Sequence, residues 1–451
     1  MRAQFSTSVW ILIIGWAGFA NGEAFRILDQ GASATGQGTA FAAQADDPSA
    51  IHYNPAGMTQ LRGIQFSIGT NLVGGHTTFH RDSGEIVEGG FGGPVANPPP
   101  SQVYITADLR DLGVDHLRDW VIGLGVTTPF GIHLEYPQTS QVAQVLSKAS
   151  LPLIDIKPTV ALTLNESISI GGGLDIYTFA GFLGEGQAEV QVIAAPNNPF
   201  GLSPGTPLEA NGTGTAVGFN ASMLWTPFRN DQRKPVMKVA FIYRSQTTLE
   251  LEGEFLAGGT FLANAQATLQ LPQVFTGAIA VWPIRNPHRE WKVEVDLDYA
   301  DWTSFQNLNL TLSSGLIIPF PRDYGDAYVV MTGTEYAWLQ SSVLPDWELA
   351  LRGGYVRSQT PIPTRTFEPG VPDSDYNGLS IGWGMLCKGQ GAFFGVVPCG
   401  DHGIKAIGLD LAYQVLLYQT RGISDNIRGP LINGIWDSII HVGALNLRMN
   451  F

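Results

Sequence analysis

Trp291-Lys-Val-Glu-Val-Asp-Leu-Asp-Tyr299 decides the fold. Side chains on a β-strand alternate between two faces. Trp291, Val293, Val295, Leu297 and Tyr299 therefore share one face, and Lys292, Glu294, Asp296 and Asp298 share the other. The apolar face is closed by an aromatic ring at each end. The pattern recurs on both sides of this stretch. Met237, Val239, Phe241 and Tyr243 alternate with Lys238, Ala240, Ile242 and Arg244. Trp347, Leu349, Leu351 and Tyr355 alternate with Glu348, Ala350, Arg352 and Gly354. From Lys405 to Leu417, Ile407, Leu409, Leu411, Tyr413, Val415 and Leu417 oppose Gly408, Asp410, Ala412 and Gln414. A soluble sandwich also alternates. Segments of about ten residues with aromatic ends, joined by alternately short and long connections, point instead to a transmembrane barrel. Phe228 to Pro235, Ile284 to Glu290 and Gln340 to Asp346 read as short periplasmic turns. His76 to Pro100, His133 to Asp155 and Pro361 to Asp375 read as long outer loops. Trp291, Tyr299, Trp302, Trp338, Trp347 and Tyr355 are expected in the interfacial girdles.

Composition agrees. Only 14% of the 451 residues are charged, against roughly 25% in a typical soluble domain. Beyond the N-terminus there is no apolar run of about 18 residues that would span a bilayer as a helix. The formal net charge of −14 argues against nucleic acid, whose phosphates demand clustered Lys and Arg. Arg2 and the apolar Val9–Ala20, followed by Asn21-Gly22, read as a signal peptide over residues 1–22. The mature chain is then exported, where a bridge between the two cysteines, Cys387 and Cys399, is expected. No His or Cys cluster completes a metal site, and no cofactor motif is present.

The fold class is therefore all-β: a transmembrane antiparallel β-barrel of about fourteen strands, an even number as such barrels require. The barrel covers residues 63–451. Its last strand carries Leu445, Leu447, Met449 and Phe451 on one face, and a terminal Phe there is the signal expected by barrel-assembly machinery. Residues 23–62 do not alternate and are rich in Gly and Ala. They are too apolar for disorder and are expected as a compact N-terminal hatch packed inside the lumen.

The chain resembles the FadL-type outer-membrane transporters of long-chain fatty acids and hydrocarbons. The resemblance is carried by Gly31-Ala32, Gly36, Gly38, Ala45-Asp46-Asp47 and Asn54-Pro55-Ala56-Gly57-Met58, by Trp120–Gly131 (WVIGLGVTTPFG), by Leu271-Pro272, by Asp298-Tyr299 with Trp302 and Phe305, and by Trp347–Tyr355 (WELALRGGY). These run in order along the whole mature chain. The resemblance implies a monomeric barrel in a Gram-negative outer membrane, surrounded by lipid and lipopolysaccharide. It implies passive lateral diffusion of a hydrophobic small molecule, from a groove among the outer loops, past the hatch, and out through a gap at a kinked third strand. By that resemblance Asn54, Pro55 and Ala56 point at the gap, and the ligand path and exit include Gly125, Pro129 and Phe130. Independently, Pro129 lacks a ladder donor and the glycines weaken strand packing, so an interrupted strand is expected there; Asn-Pro also reads simply as a turn.

A fatty acid carboxylate would need a cation. Lys238, Arg244, Arg352 and Arg448 are the lumen-facing candidates, although they also suit neutralisation of Glu294, Asp296, Asp298 and Asp410. Val142–Leu153 (VAQVLSKASLPL) reads as a short helix, either over the entrance with Val142, Val145, Leu146 and Leu151 forming an apolar groove or packed only on the barrel rim. Gly378-Leu379-Ser380-Ile381-Gly382 matches a nucleophile elbow, but inside an alternating strand it lacks the required strand-to-helix turn. No catalytic set can be assembled, so no enzyme is expected. An open hydrophilic porin is the rival reading within the same fold; the hatch-like segment speaks against it.

Overall fold

The computed structural model describes residues 23–81, 83–117, 119–181, 186–340, 344–400 and 403–451. The expected signal peptide, 1–22, lies outside them. Fourteen antiparallel strands close into a barrel. They are β1 (Ile64–Arg81), β2 (Ser101–Asp108), β3 (Trp120–Glu135), β4 (Lys148–Thr163), β5 (Ile168–Phe179), β6 (Ala216–Arg229) and β7 (Pro235–Arg244), followed by β8 (Gln273–Arg285), β9 (Arg289–Asp301), β10 (Asp326–Trp338), β11 (Trp347–Ser358), β12 (Tyr376–Lys388), β13 (Ala406–Tyr418) and β14 (Gly434–Asn450). Each pairs with its neighbour in chain order, and β14 pairs with β1 from Gln65↔Asn450 to Arg81↔Gly434. Closure joins the first and last strands, so neither is left as a terminal edge strand in the hydrocarbon, which is what a spanning sheet requires.

Alternation sorts the side chains as the sequence suggests. Val295 and Leu297 of β9 are exposed to the outside, while Lys292, Glu294, Asp296 and Asp298 are buried within. Near the long-loop end an aromatic belt runs across five strands, through Phe219, Tyr243, Phe275, Tyr299 and Tyr328, with successive ring centroids 4.9–6.2 Å apart. Such a belt suits a membrane interface. Trp302 does not join it. β9 ends at Asp301, whose carboxylate accepts from the Thr303 amide. That turn carries Trp302 over the barrel mouth, where it is fully buried.

The outer connections are more ordered than the sequence suggests. Strands Ala188–Ile193, Pro207–Gly212, Thr247–Ala257, Thr260–Leu271, Leu310–Leu312 and Ile317–Ile318 extend from the upper end of β4 as a lobe above the barrel. The expected entrance helix is a single 3-10 turn, Gln141–Gln144. From Lys148 the chain is already β4, because Pro152 opposes helix and Lys148–Ser150 pair with both β3 and the lobe. At the opposite end, Cys387 and Cys399 are joined by a disulfide with Cα atoms 5.7 Å apart.

The N-terminal segment fills the lumen as a hatch. It has two one-turn helices, α1 (Ala32–Thr35) and α2 (Ala50–Tyr53), and a 3-10 turn, Pro55–Gln60. Its alanines from Ala32 to Ala56 are almost completely buried. So short a helical content leaves many backbone amides unpaired, and a buried amide must find an acceptor. The wall supplies them. Asp296 accepts from the Phe41 and Ala42 amides at 3.0 Å each. Glu294 accepts from Ala43 at 2.6 Å and Gln44 at 3.2 Å. The polar row that decided the fold is therefore the clamp that holds the hatch.

Candidate functional site: a vestibule, a partition and a window in the wall

The third strand is interrupted. Thr127 of β3 pairs with Asp155 and Phe130 with Leu153, so Thr128 and Pro129 form a bulge opposite Ile154. Pro129 has no amide to donate, and the strand turns into the lumen. There it pairs with the hatch instead. The Ile27 amide donates to the Pro129 carbonyl at 2.8 Å, and the Gly131 amide donates to Phe25 at 3.0 Å. Gln30 completes the graft: its side chain donates to the Thr128 carbonyl at 3.0 Å and accepts from the Thr128 amide at 3.1 Å.

This turn opens a window. β2 accompanies β3 only up to Val103↔Val126. Pairing resumes at a bridge between Gly90 and Glu135. Between them, the chain from Phe91 to Pro100 lies along β1 without a strand, held by Ala96 donating to Val73 at 2.7 Å and Asn71 donating to Pro100 at 2.8 Å. A cavity of about 570 Å³ fills the interval. It is lined by lumen-facing Asn71, Gln102 and Val442 and by Val103 and Val126, which face the outside. The cavity thus passes through the wall.

A second cavity of about 570 Å³ lies among the outer loops and the lobe. Its lining is mostly apolar, with Val145, Leu146, Phe200, Phe255, Leu310 and Phe320 among its residues. Phe25, Ile132, Ser150 and Leu151 line both cavities and separate them. Phe25 is the centre of this partition, with its ring 4.9 Å from Trp302, 6.0 Å from Phe130 and 6.1 Å from Phe305. Two arginines stand in the outer cavity. Arg322 pairs with Glu368 at 2.8 Å. Arg428 lies over the Phe320 ring at 5.0 Å and has no ion-pair partner of its own among the described residues.

The residues singled out from sequence divide between the window cavity and the scaffold. Phe130 lines the window cavity; Pro129 shapes the bulge; Gly125 faces Ile51 and Tyr104 rather than the cavity. Asn54, Pro55 and Ala56 sit elsewhere. The Ala56 amide is 2.9 Å from the Ser222 hydroxyl of β6, and a side chain on Gly171 of β5 would collide with the backbone of Pro55 and Ala56. Asn54 accepts from Ala56 at 3.1 Å and donates to the Ala42 carbonyl at 2.7 Å. It is the cap of the 3-10 turn, with Pro55 in the first position, where a missing amide costs nothing. The element faces β5 and β6, not the window.

The four basic candidates also serve the scaffold. Arg352 and Arg448 bracket Asp410, at 2.7 Å and 2.6 Å, and Arg352 also pairs with Glu335 at 2.6 Å. Arg244 donates to the His52 carbonyl at 2.9 Å. Lys238 bonds the Gln60 side chain. None of the four lines either large cavity. This geometry fits the neutralising alternative; the arginines that line the large cavities are Arg322 and Arg428 in the outer one and Arg26, paired with Glu23 and Asp298, in the window one. Sequence offered little sign of Arg322 and Arg428, because both lie in outer connections without alternation.

A family profile described as "Outer membrane protein transport protein (OMPP1/FadL/TodX)" matches residues 13–390. The long-chain fatty acid transport protein of Escherichia coli K12 is 25% identical over 422 residues, 84% of this chain and 85% of that protein. Outer membrane protein P1 of Haemophilus influenzae is 23% identical, over 81% of this chain and 83% of its own. Among solved structures, a Pseudomonas aeruginosa FadL homologue matches with a TM-score of 0.74 at 17% identity, covering 95% of this chain and 100% of its own. The Ralstonia pickettii toluene transporter TbuX matches at 0.61 and 15% identity, over 92% and 97%. A profile spanning most of the chain, on a closed barrel with a lumenal hatch, settles the family: the chain belongs to the OMPP1/FadL/TodX outer-membrane transport proteins.

Proposed function

We propose that this protein carries hydrophobic small molecules across the outer membrane by passive lateral diffusion, with long-chain fatty acids as the favoured ligand. The observation that carries this reading is the pair of apolar cavities that share Phe25, Ile132, Ser150 and Leu151. A ligand entering among the outer loops meets apolar walls, gains roughly 0.8 kcal/mol for each CH₂ it buries, and needs only displacement of the partition to reach the window. The direct way down the lumen is closed by the clamped hatch and its ion pairs, which an apolar chain cannot cross cheaply. The cargo thus leaves sideways into the bilayer.

The fatty acid reading rests on Arg428 and Arg322. A guanidinium beside an apolar cavity can take a carboxylate through two parallel hydrogen bonds, whereas toluene would use neither. The relatives point both ways, since the Escherichia coli protein is named for long-chain fatty acids and the Ralstonia pickettii one for toluene. In this reading residues 1–22 are an export signal that is removed, 23–62 are the hatch and 63–451 the barrel. The chain works as a monomeric transporter, not an enzyme, is inserted by barrel-assembly machinery and meets lipopolysaccharide at its outer rim.

The test is uptake of labelled oleate and labelled toluene by cells lacking their own transporter and expressing this chain. Oleate uptake supports the fatty acid reading. Toluene uptake alone moves the ligand to hydrocarbons, and uptake of neither by correctly inserted protein overturns the function.

A further inference from the structure

The disulfide-closed turn between β12 and β13 differs from the other connections at the periplasmic end. The turn after β6 reads Asn230-Asp-Gln-Arg-Lys234, and that after β8 contains Asn286-Pro-His288. Residues 389–400 read GQGAFFGVVPCG and carry no charge. Ala392–Phe393 pair with Val397–Pro398 as a small hairpin. At its tip Phe394 is 67% exposed and Val396 80%. An uncharged, aromatic tip presented to water is unfavourable and marks an interaction surface.

The hairpin lies on the outside of the barrel. Directly paired residues share a face. Trp347 pairs with Cys387, which pairs with Ile407, and Cys387 continues the outward row of Leu379, Ile381 and Trp383, all exposed. Yet Met385, Cys387 and Ile407 are only 7%, 0% and 3% exposed. The disulfide draws the hairpin across them, and Phe393 stacks on outward-facing Trp347 with centroids 5.9 Å apart and planes inclined by 26°. Trp347 stands at the same end of the wall as Trp291 and Trp338, both partly exposed to the outside. That is the level of the inner-leaflet interface, where Trp side chains concentrate.

We propose that the Cys387–Cys399 hairpin is a lipid-dipping element, whose Phe394, Val396 and Val397 insert into the inner leaflet beside the barrel. The occupant is lipid because the tip is continuous with the lipid-facing rows of β11–β13 and has no charge to complement on a protein partner. Its insertion adds an apolar foot at one point of the periplasmic rim, and does not depend on which ligand the barrel carries.

The test is a nitroxide spin label on Val396→Cys in the full-length protein, with the native disulfide intact, reconstituted in phosphatidylethanolamine/phosphatidylglycerol vesicles. Oxygen partitions into lipid and a nickel chelate stays in water. Leu411→Cys, on the exposed outward face, sets the lipid limit, and Gln232→Cys, in an exposed turn, sets the water limit. The label at 396 should resemble that at 411, with oxygen collisions favoured several-fold over the chelate. The same result is expected at Phe394→Cys, which guards against a local disturbance at 396. Chelate access equal to that at 232 at both sites would overturn the proposal, leaving the tip free for a periplasmic protein. Exclusion of both reagents would also overturn it, by showing the tip packed on the barrel.

Discussion

The Ile27 amide donates to the Pro129 carbonyl at 2.8 Å, so the hatch repairs the ladder that the barrel wall breaks. A bulge in a lipid-facing wall would otherwise leave polar backbone exposed to hydrocarbon, at several kcal/mol per group. The hatch is thus part of the wall, and the window exists because Phe25 to Gln30 complete it from inside. Ile27→Pro removes the donor and should loosen this edge. Uptake is expected to change several-fold while the heat-modifiable mobility of the folded barrel is retained. Unchanged uptake and unchanged hydrogen exchange at residues 25–31 would contradict the role of this bond.

The carboxylates of β9 should matter to the hatch and not to the barrel. Asp296→Ala leaves the Phe41 and Ala42 amides unpaired, at about 1–3 kcal/mol each. The expected outcome is faster exchange of amides 41–44 and a raised ion conductance in planar bilayers, with the barrel still folded. Wild-type conductance and protection would sink the clamp.

Close approach between wall and hatch predicts a contrast among glycines. A side chain at Gly354 would lie 2.0 Å from the Gln37 carbonyl carbon, whereas one at Gly277 would meet nothing within 4 Å. Gly354→Ala should weaken hatch docking by about 1–3 kcal/mol through overpacking, and Gly277→Ala should be neutral. Protease cleavage within the hatch compares them directly.

The outer arginines separate the two ligand classes. Arg428→Ala should lower oleate capture about 10-fold, the equivalent of ~1.4 kcal/mol, and leave toluene uptake unchanged. Equal loss of both would show that Arg428 only supports the loop.

Docking of the hatch's first residues should weaken with rising pH. Burial pushes Glu23 up to about 8, Arg26 opposing and Asp298 and Asp373 adding to the rise. Burial also pushes Asp373, which accepts from the Ala24 amide at 2.8 Å, up to about 7. Docked, these groups hold protons that an undocked chain releases near its ordinary carboxylate values of about 4. Stability is therefore greatest at the acid end, falls as pH rises from about 4 to about 8, and levels off above that. Exchange of amides 24–28, corrected for intrinsic rate, should show that slope; the opposite slope would contradict it.

Much of this was legible in sequence, for a physical reason. One buried face and one lipid face impose a period of two, so β7, β9, β11 and β13 could be read residue by residue. The lobe strands were not distinguished, because Thr247–Ala257 alternates just as well. Its Glu250, Glu252 and Glu254 point to water, while Glu294 and Asp296 point to the hatch, and alternation alone does not say which. Trp302 looked like a girdle residue until the turn at Asp301 carried it inward. The graft of Phe25 and Ile27 onto β3, the position of Asn54–Ala56 against β5 and β6, and the pairing of Arg322 with Glu368 are contacts between distant segments that no local pattern encodes.

The central claim is that cargo leaves through the window beside Thr128. That residue lines the window cavity, and its hydroxyl has no hydrogen-bond partner among the described residues, so its side chain can be replaced without breaking a bond. The deciding measurement is labelled oleate uptake by cells expressing Thr128→Trp, alongside oleate binding to the purified protein. Retained binding with uptake abolished is the predicted result. Uptake equal to wild type, with the barrel correctly inserted, would contradict lateral exit at this window.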